Sequence, residues 1–242
     1  MKNSIEVINL SKSYKNKKAV NNISFKIDEN EIVGLLGPNG CGKTTTIGMI
    51  LGLLKPTSGQ VLINGKNIEN NKISILHKMN FISPYIELPK KLTVKQNLIV
   101  YGKLYNIKNL NERINFLSEK LRLGDLLDKI TGELSSGQKN RVSLAKALIN
   151  DPTVLLLDEP TAALDPETAD FIRTFLEKLR EEKKISVLLA SHNMDEVKRL
   201  CNSVMMMKDG NIVDGGTPED LIEKYGQKNL EEVFLQIVRK DK

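Results

Sequence analysis

A short glycine-rich segment between a strand pattern and a helix pattern constrains the fold of this chain more than any other feature. Residues 32–36, IVGLL, are typical of a buried strand, and a helical pattern covers residues 44–53. Between them, GPNGCGKT (residues 37–44) fits the pattern G-x-x-x-x-G-K-[ST]. Glycines at this spacing let backbone N–H groups face a phosphate, and the helix N-terminus adds partial positive charge. The sequence therefore predicts a phosphate-binding loop (P-loop) in an α/β fold.

The loop also predicts the roles of its own side chains. Lys43 is expected to reach the β- and γ-phosphates of ATP, and the Thr44 hydroxyl to bind Mg²⁺. The alternative is an ordinary strand-to-helix turn with an exposed lysine, and the flanking elements argue against it. We assign to nucleotide binding all residues of the loop: Gly37, Pro38, Asn39, Gly40, Cys41, Gly42, Lys43, Thr44 and Thr45. Because Cys41 lies at a helix N-terminus, its thiol pKa is expected to be lowered, and its alkylation to block ATP binding.

A second apolar run ends directly in two carboxylates. VLLL (residues 154–157) is typical of a buried parallel strand, and Asp158 and Glu159 follow it. Adjacent carboxylates repel, and burying them is costly without a cation. In a P-loop fold Asp158 is expected to hold Mg²⁺, and Glu159 to act as the general base for an attacking water. Without the P-loop, an acidic pair that caps a helix would be the simpler interpretation.

The pattern of elements indicates one domain with two lobes. The chain has 242 residues, of which 40% are apolar and 27% charged. Strand and helix patterns alternate except between residues 93 and 148, where the pattern is mostly helical. We predict an α/β core over about residues 1–84 and 150–215, a helical subdomain over about 85–149, and a short tail over 216–242.

Composition limits the partners and the compartment. The formal net charge is +6, but the lysines are scattered and aromatic residues make up only 5%, so direct nucleic-acid binding is not expected. Two cysteines cannot make a disulfide framework, which favours a reducing compartment. The N-terminal residues lack the pattern of a signal peptide, and no run approaches the ~18 apolar residues of a membrane span.

Further motifs lead to a known family. LSSGQ (residues 134–138) by itself predicts only a capped helix. Together with the P-loop, LLLDEP (155–160), ALD (163–165) and SH (191–192), all in one order, it resembles the ATP-binding cassette (ABC) family, specifically the ATP-binding subunit of ABC transporters. The resemblance extends over about residues 5–215. It implies a P-loop NTPase core with an N-terminal antiparallel β region and an inserted helical subdomain.

The resemblance implies further site residues. Tyr14 is expected to stack on adenine, with edge packing as the alternative, and Val20 to pack near the ribose. His192 is expected to contact the γ-phosphate, with helix capping as the alternative, and to join Glu159 and Lys43 in the catalytic set. Residues 163–165 match the loop that, in the family, communicates across a dimer. Residues 134–138 match the family motif LSGGQ, with Ser136 in place of its first glycine. In the family this segment caps ATP bound by a second subunit, which assigns to the nucleotide site Ser135, Ser136, Gly137 and Gln138.

The family also implies partners and a location. We expect ATP-driven dimerisation with a second ABC subunit, identical or different, and coupling to separate transmembrane permease subunits. The chain would then be cytoplasmic and peripheral on the inner face of the cell membrane. The short amphipathic tail favours an exporter. The alternatives are a soluble ABC ATPase acting on ribosomes or nucleic acid, which usually has two cassettes or a long coiled coil, and a regulatory module without turnover.

One loop departs from the family. ABC proteins usually carry a glutamine between the two lobes, where its side-chain carbonyl reaches Mg²⁺ and the attacking water. Here the segment is FISPYIELP (residues 81–89), and Pro84 or Tyr85 stands at the expected position. Neither side chain has a carbonyl, so we expect a water, or less favourably Glu87, at the metal. Two prolines should also stiffen the loop.

Overall fold

The computed structural model of the chain describes residues 3–15, 17–84, 86–182 and 185–239. The strands within these ranges are β1 (Asn3–Tyr14), β2 (Lys17–Asp28), β3 (Ile32–Leu36), β4 (Ser58–Ile63), β5 (Lys66–Asn67), β6 (Met79–Ile82), β7 (Val154–Asp158), β8 (Ser186–Ala190), β9 (Ser203–Lys208) and β10 (Asn211–Gly216). The α-helices are α1 (Lys43–Ile50), α2 (Lys72–Leu76), α3 (Val94–Leu104), α4 (Leu110–Lys120), α5 (Ser136–Leu148), α6 (Pro166–Glu182), α7 (Met194–Leu200), α8 (Pro218–Tyr225) and α9 (Leu230–Arg239).

The first sheet is antiparallel and has the strand order β2-β1-β4-β5. Its strands alternate apolar and polar residues, because one face packs on the core and the other faces solvent. Ile5 pairs with both Ile27 and Ile63, and all three side chains are buried. The Asn64-Gly65 turn joins β4 to β5 with both residues at positive φ. The expected N-terminal antiparallel region is therefore confirmed.

The second sheet carries the P-loop and has the order β10-β9-β3-β8-β7-β6. All neighbouring pairs are parallel except β9 with β10. Strands β3, β7 and β8 are buried along their full length, which explains why their sequences are continuous apolar runs. Because parallel strands end at the same edge of a sheet, the segments that follow β3, β7 and β8 meet there. The predicted α/β fold class is confirmed.

The helices α3, α4 and α5 lie between β6 and β7 in the chain and form a helical lobe. A buried asparagine connects its segments: Asn97 Nδ2 donates to the Thr131 hydroxyl at 2.8 Å and to the Pro89 and Thr93 carbonyl oxygens at 3.2 Å. Thr93 also begins α3 through a capping box with Gln96. These bonds hold the start of α3 against the segment that leads into α5.

The C-terminal helices fold back onto the second sheet. Buried apolar residues of α8 and α9 belong to the same core cluster as residues of α7 and of the sheet; they are Leu221, Leu230, Val233 and Ile237. The sequence predicted an amphipathic tail, and the structure shows that its apolar face is buried. Among the described residues, no helix combines the length and the apolar character needed to cross a lipid bilayer.

Candidate active site

The carboxyl ends of β3, β7 and β8 surround a cleft with a volume of about 680 Å³. The sequence-predicted residues that line it are Tyr14, Gly37, Pro38, Asn39, Gly40, Gly42, Lys43, Thr44, Thr45, Asp158, Glu159 and His192. The cleft therefore brings together three motifs that are far apart in the chain. Its other lining residues are Lys17, Ala19, Pro84, Ala162 and Phe234.

The P-loop turns sharply from β3 into α1. Gly42 precedes the helix at φ +113, and a Cβ there would lie 2.4 Å from the Ala19 carbonyl oxygen, so only glycine fits. Lys43 Nζ donates to the carbonyl oxygens of Gly37 at 2.6 Å and Pro38 at 3.2 Å. The ammonium group is thus held over the loop whose backbone N–H groups would receive phosphate.

Asp158 ends β7 and has the features of a metal ligand. The residue is only 3% exposed, and its Oδ2 atom is buried without a hydrogen-bond partner in the described part of the chain. Burial raises its pKa, the charge of Glu159 raises it further, and Lys43 opposes both. Thr44 lines the same cleft. One carboxylate and one hydroxyl, completed by phosphate oxygens, are a ligand set that suits Mg²⁺, so the residues present fit this metal.

Glu159 and His192 form a pair at the cleft. His192 Nδ1 lies 2.7 Å from Glu159 Oε2, and the His192 backbone N–H donates to the same oxygen at 3.4 Å. The backbone of Glu159 is left-handed, with φ +52, and its N–H donates to the Ala190 carbonyl at 2.8 Å. A left-handed non-glycine residue costs about 1–3 kcal/mol and is typical of functional sites. The turn directs the carboxylate toward the histidine.

Two sequence-predicted residues lie behind the cleft and not in it. The Val20 side chain is fully buried and packs against Gly42, whereas its neighbour Ala19 lines the cleft. The Cys41 thiol is buried behind the loop, close to Gly37. Burial raises the pKa of Cys41, although Lys43 opposes this effect. The prediction of a lowered thiol pKa is therefore wrong, because desolvation outweighs the helix N-terminus.

The residues of the LSSGQ segment lie outside the cleft, at the start of α5. Ser135 accepts a hydrogen bond from the Gln138 N–H at 3.3 Å, and Gln138 Oε1 accepts one from the Ser135 N–H at 3.0 Å. This capping box fixes the first turn. Gly137 packs against Thr168, where a Cβ would lie 3.0 Å from the threonine side chain. Ser136 instead lines a neighbouring groove between the lobes.

The loop that departs from the family pattern (residues 81–89) has one residue in the cleft. Pro84 lines it, and Tyr85 lies outside the described residues. Glu87 does not line the cleft, and its carboxylate binds Lys90 Nζ at 2.7 Å. The sequence missed Phe234, which reaches the cleft from α9. The only signal for Phe234 was its place in an amphipathic pattern, which predicts a buried face but not a nucleotide site.

Comparisons with known proteins identify the family. The family model described as ABC transporter matches residues 20–162. A second model, described as AAA domain, putative AbiEii toxin, matches residues 132–197. The chain is 34% identical over 221 residues to the ABC transporter ATP-binding protein NatA of Bacillus subtilis, covering 90% of this chain and 89% of that protein. It is 36% identical over 230 residues to the bacitracin transport ATP-binding protein BcrA of Bacillus licheniformis, covering 94% and 74%.

Another relative is considerably longer than this chain. The choline transport ATP-binding protein OpuBA of Bacillus subtilis is 35% identical over 229 residues, which are 93% of this chain but only 60% of OpuBA. Among solved structures, an ATP-binding subunit of an ABC transporter superposes with a TM-score of 0.88 at 26% identity, covering 96% and 98% of the two chains. A dimeric ATP-binding cassette in a post-hydrolysis state, bound to ADP and Pi, gives 0.80 at 27% identity, covering 88% and 98%.

Proposed function

The chain belongs to the ABC transporter family, in which it is an ATP-binding subunit and an ATPase, and from this premise we propose that hydrolysis in its cleft powers transport through separate membrane-spanning subunits. One observation carries the proposal: the P-loop, the orphaned Asp158 oxygen and the Glu159–His192 pair share a single cleft. Each supplies a different requirement of phosphoryl transfer, namely phosphate binding, metal binding and activation of water.

ATP is proposed to bind with its phosphates over the N-terminus of α1. The loop N–H groups and Lys43 would hold the β- and γ-phosphates, and the exposed ring of Tyr14 at the rim would stack on the base. Thr44 and Asp158 would hold Mg²⁺, which offsets the charge of the phosphates when bound. The buried Asp158 Oδ2 atom supports this role, because a desolvated carboxylate oxygen needs a positive partner.

Hydrolysis is assigned to Glu159 and His192. Glu159 would accept the proton of the attacking water. His192 would hold the Glu159 carboxylate in place and would itself contact the γ-phosphate. The 2.7 Å separation of His192 Nδ1 from Glu159 Oε2 supports a role in positioning. The His192 side chain is 70% exposed, so the imidazole is accessible from the mouth of the cleft.

The complete site is proposed to need two subunits. The start of α5 does not line the cleft of its own chain, which supports the expectation that it caps ATP bound by a partner. One solved relative is a dimeric cassette bound to ADP and Pi. ATP between two subunits would favour the closed pair, and hydrolysis would reopen it. Analytical ultracentrifugation of the purified chain with Mg-ATP would show whether identical subunits suffice.

Export is the proposed direction of transport. A short amphipathic tail favours an exporter, and the tail helices α8 and α9 bury their apolar residues in the core cluster that includes α7 and the second sheet. One relative, 36% identical over 221 residues, is named a Nod factor export ATP-binding protein. The chain is expected to sediment with membranes only when it is produced together with its permease subunits. Vesicles with the cassette outside would then accumulate the cargo if the system exports.

Replacing Glu159 by glutamine tests the assignment of the base. Glu159→Gln is expected to keep ATP binding, to lower turnover by about 10²–10⁴-fold, and to trap an ATP-bound dimer in size-exclusion chromatography. The matched control is Glu6→Gln, which removes a carboxylate paired with Lys26 on the antiparallel sheet. The control should hydrolyse at the wild-type rate. A Glu159→Gln variant that also does so would remove Glu159 from its role.

A further inference from the structure

A fully buried carboxylate lies behind the Glu159–His192 pair. Glu196 is on α7 and is 0% exposed. Its Oε2 atom accepts a hydrogen bond from the Ser191 hydroxyl at 2.6 Å, and its Oε1 atom accepts one from the Thr161 hydroxyl at 2.8 Å. A buried carboxylate costs free energy unless its oxygens are hydrogen-bonded. Both oxygens are used, and each bond goes to a different loop.

The two loops are those that carry the reacting side chains. Thr161 lies two residues after Glu159, beyond the end of β7, and Ser191 directly precedes His192, beyond the end of β8. The ladder between these strands runs to the pair Asp158–Ala190, followed by the hydrogen bond from the Glu159 N–H. Past that bond, Glu196 joins the two loops from the buried side.

The hydrogen bonds around Glu196 have defined directions. Ser191 Oγ donates to Glu196 and also accepts the Asn193 N–H at 3.1 Å. Asn193 Oδ1 accepts the Glu196 N–H at 3.1 Å, which fixes the first turn of α7. Burial raises the pKa of Glu196, the hydroxyls of Ser191 and Thr161 lower it, Arg173 of α6 also lowers it, and Glu159 raises it. The Ser191 and Thr161 hydroxyls both donate to the Glu196 carboxylate, which is their common acceptor.

We infer that Glu196 is a positioning residue of the ATPase reaction, which sets the relative position of Glu159 and His192 by binding Thr161 and Ser191. The inference rests on the proposed roles of Glu159 and His192. Glu196 does not line the cleft, so it acts through the two loops and does not touch the nucleotide. The P-loop is held by bonds that do not involve Glu196: Lys43 Nζ donates to the Gly37 carbonyl oxygen, and the Gly210 N–H donates to the Cys41 carbonyl oxygen.

This role predicts a specific kinetic signature. In Glu196→Gln the amide NH₂ cannot accept, so one hydroxyl loses its acceptor, and kcat is expected to fall about tenfold. Glu196→Ala removes both acceptors and is expected to lower kcat by about 10²-fold. KM for ATP should stay within about twofold, because the loss affects the reaction step and not phosphate binding. Ser191→Ala should reduce kcat like Glu196→Gln, and the double variant should lose less than the product of the two effects.

A serine on the same strand provides the matched control. Ser186 begins β8, at the end opposite Ser191, and is equally buried. Its hydroxyl donates to the Asp28 carbonyl oxygen at 2.9 Å and lies 2.8 Å from the Ser4 hydroxyl. Ser186→Ala therefore removes a buried hydroxyl from the same strand without touching either loop. It is expected to lower the melting temperature but to leave kcat and KM unchanged.

The test is steady-state ATP hydrolysis by these variants beside Glu159→Gln and wild type. The inference is supported if kcat falls in Glu196→Gln and Ser191→Ala with KM unchanged, while Ser186→Ala keeps wild-type kcat. It is overturned if the Glu196 and Ser191 variants keep wild-type kcat, or if their kcat falls no more than that of Ser186→Ala. If Glu196→Ala does not fold, the kcat values of Glu196→Gln and Ser191→Ala decide. Wild-type turnover in Glu159→Gln would instead refute the proposed function.

Discussion

Asp158→Asn is expected to raise the thermal stability of the nucleotide-free protein and to remove most of the stabilisation by Mg-ATP. The Asp158 Oδ2 atom is buried without a hydrogen-bond partner among the residues described. Burial and the charge of Glu159 raise the pKa of Asp158, and Lys43 only partly opposes them. A carboxyl group whose pKa is higher in the folded state destabilises the fold once the pH exceeds its unfolded pKa. At neutral pH the ionised group is therefore unfavourable without a cation.

The size of the effect follows from the cost of the unpaired oxygen. A buried unsatisfied acceptor costs about 1–3 kcal/mol, and asparagine keeps part of that cost, so the expected gain is about 1 kcal/mol. In a protein of 242 residues this corresponds to a rise of about 2–4 °C in Tm. Mg-ATP at about 100 times its Kd should stabilise wild type by about 2.7 kcal/mol, or roughly 5–10 °C. The variant should gain less than half of that.

Thermal melts at pH 7.5 without nucleotide, with ATP and EDTA, and with ATP and Mg²⁺ test this prediction. The order of the two melting temperatures should reverse between the first and third conditions. The control is Asp214→Asn on β10: burial raises the pKa of Asp214, but hydrogen bonds from Lys224 and Tyr225 lower it overall. This control should melt lower and keep its full Mg-ATP shift. If Asp158→Asn melts lower without nucleotide, the ionised Asp158 is not unfavourable in the folded protein; if it keeps the full Mg-ATP shift, Asp158 is not the metal ligand.

Two more predictions concern Phe234, which the sequence did not place at the cleft, and the buried thiols of Cys41 and Cys201. Phe234→Ala should raise KM for ATP about three- to tenfold with little change in kcat, because Phe234 lines the cleft and apolar contact is lost. Steady-state kinetics would measure this, with Phe116→Ala on α4 as the control; an unchanged KM would argue against contact with the nucleotide. Both thiols are buried, so iodoacetamide should modify the folded protein slowly and two thiols per chain after denaturation. Rapid alkylation of Cys41 in the folded protein would contradict its position behind the P-loop.

The sequence predicted the centre of the site because its motifs are local. Asp158 and Glu159 follow an apolar run directly, and Lys43 lies in a glycine pattern between a strand and a helix. The direction of individual side chains was harder to predict. Ala19 and Val20 are neighbours on β2, and successive strand residues point to opposite faces, so only Ala19 reaches the cleft. Which of the two would do so depends on strand register, which no local pattern fixes.

Tertiary contacts account for the other misses. Phe234 reaches the cleft only because α8 and α9 fold back against the core that includes α7. Glu196 is joined to Thr161 across 35 positions of the chain, and no motif links them. Strand β6 was missed because Asn80 interrupts its apolar run; the structure buries Asn80, whose Nδ2 donates to Asn150 Oδ1 at 3.0 Å. A buried polar residue becomes understandable only when its partner is known.

The segment around Pro84 connects the cleft to the helical lobe. Strand β6 ends at Ile82, Pro84 lines both the cleft and the groove between the lobes, and Leu88 is buried in the core cluster shared with α3. Proline offers no side-chain donor or acceptor and fixes its own φ, so its contribution at the cleft is shape and stiffness. In the proposed site, metal binding would then depend on Thr44 and Asp158. We expect a nucleotide that displaces Pro84 to shift the helical lobe and, with it, the start of α5, which is the segment that we propose to cap the ATP of a second subunit.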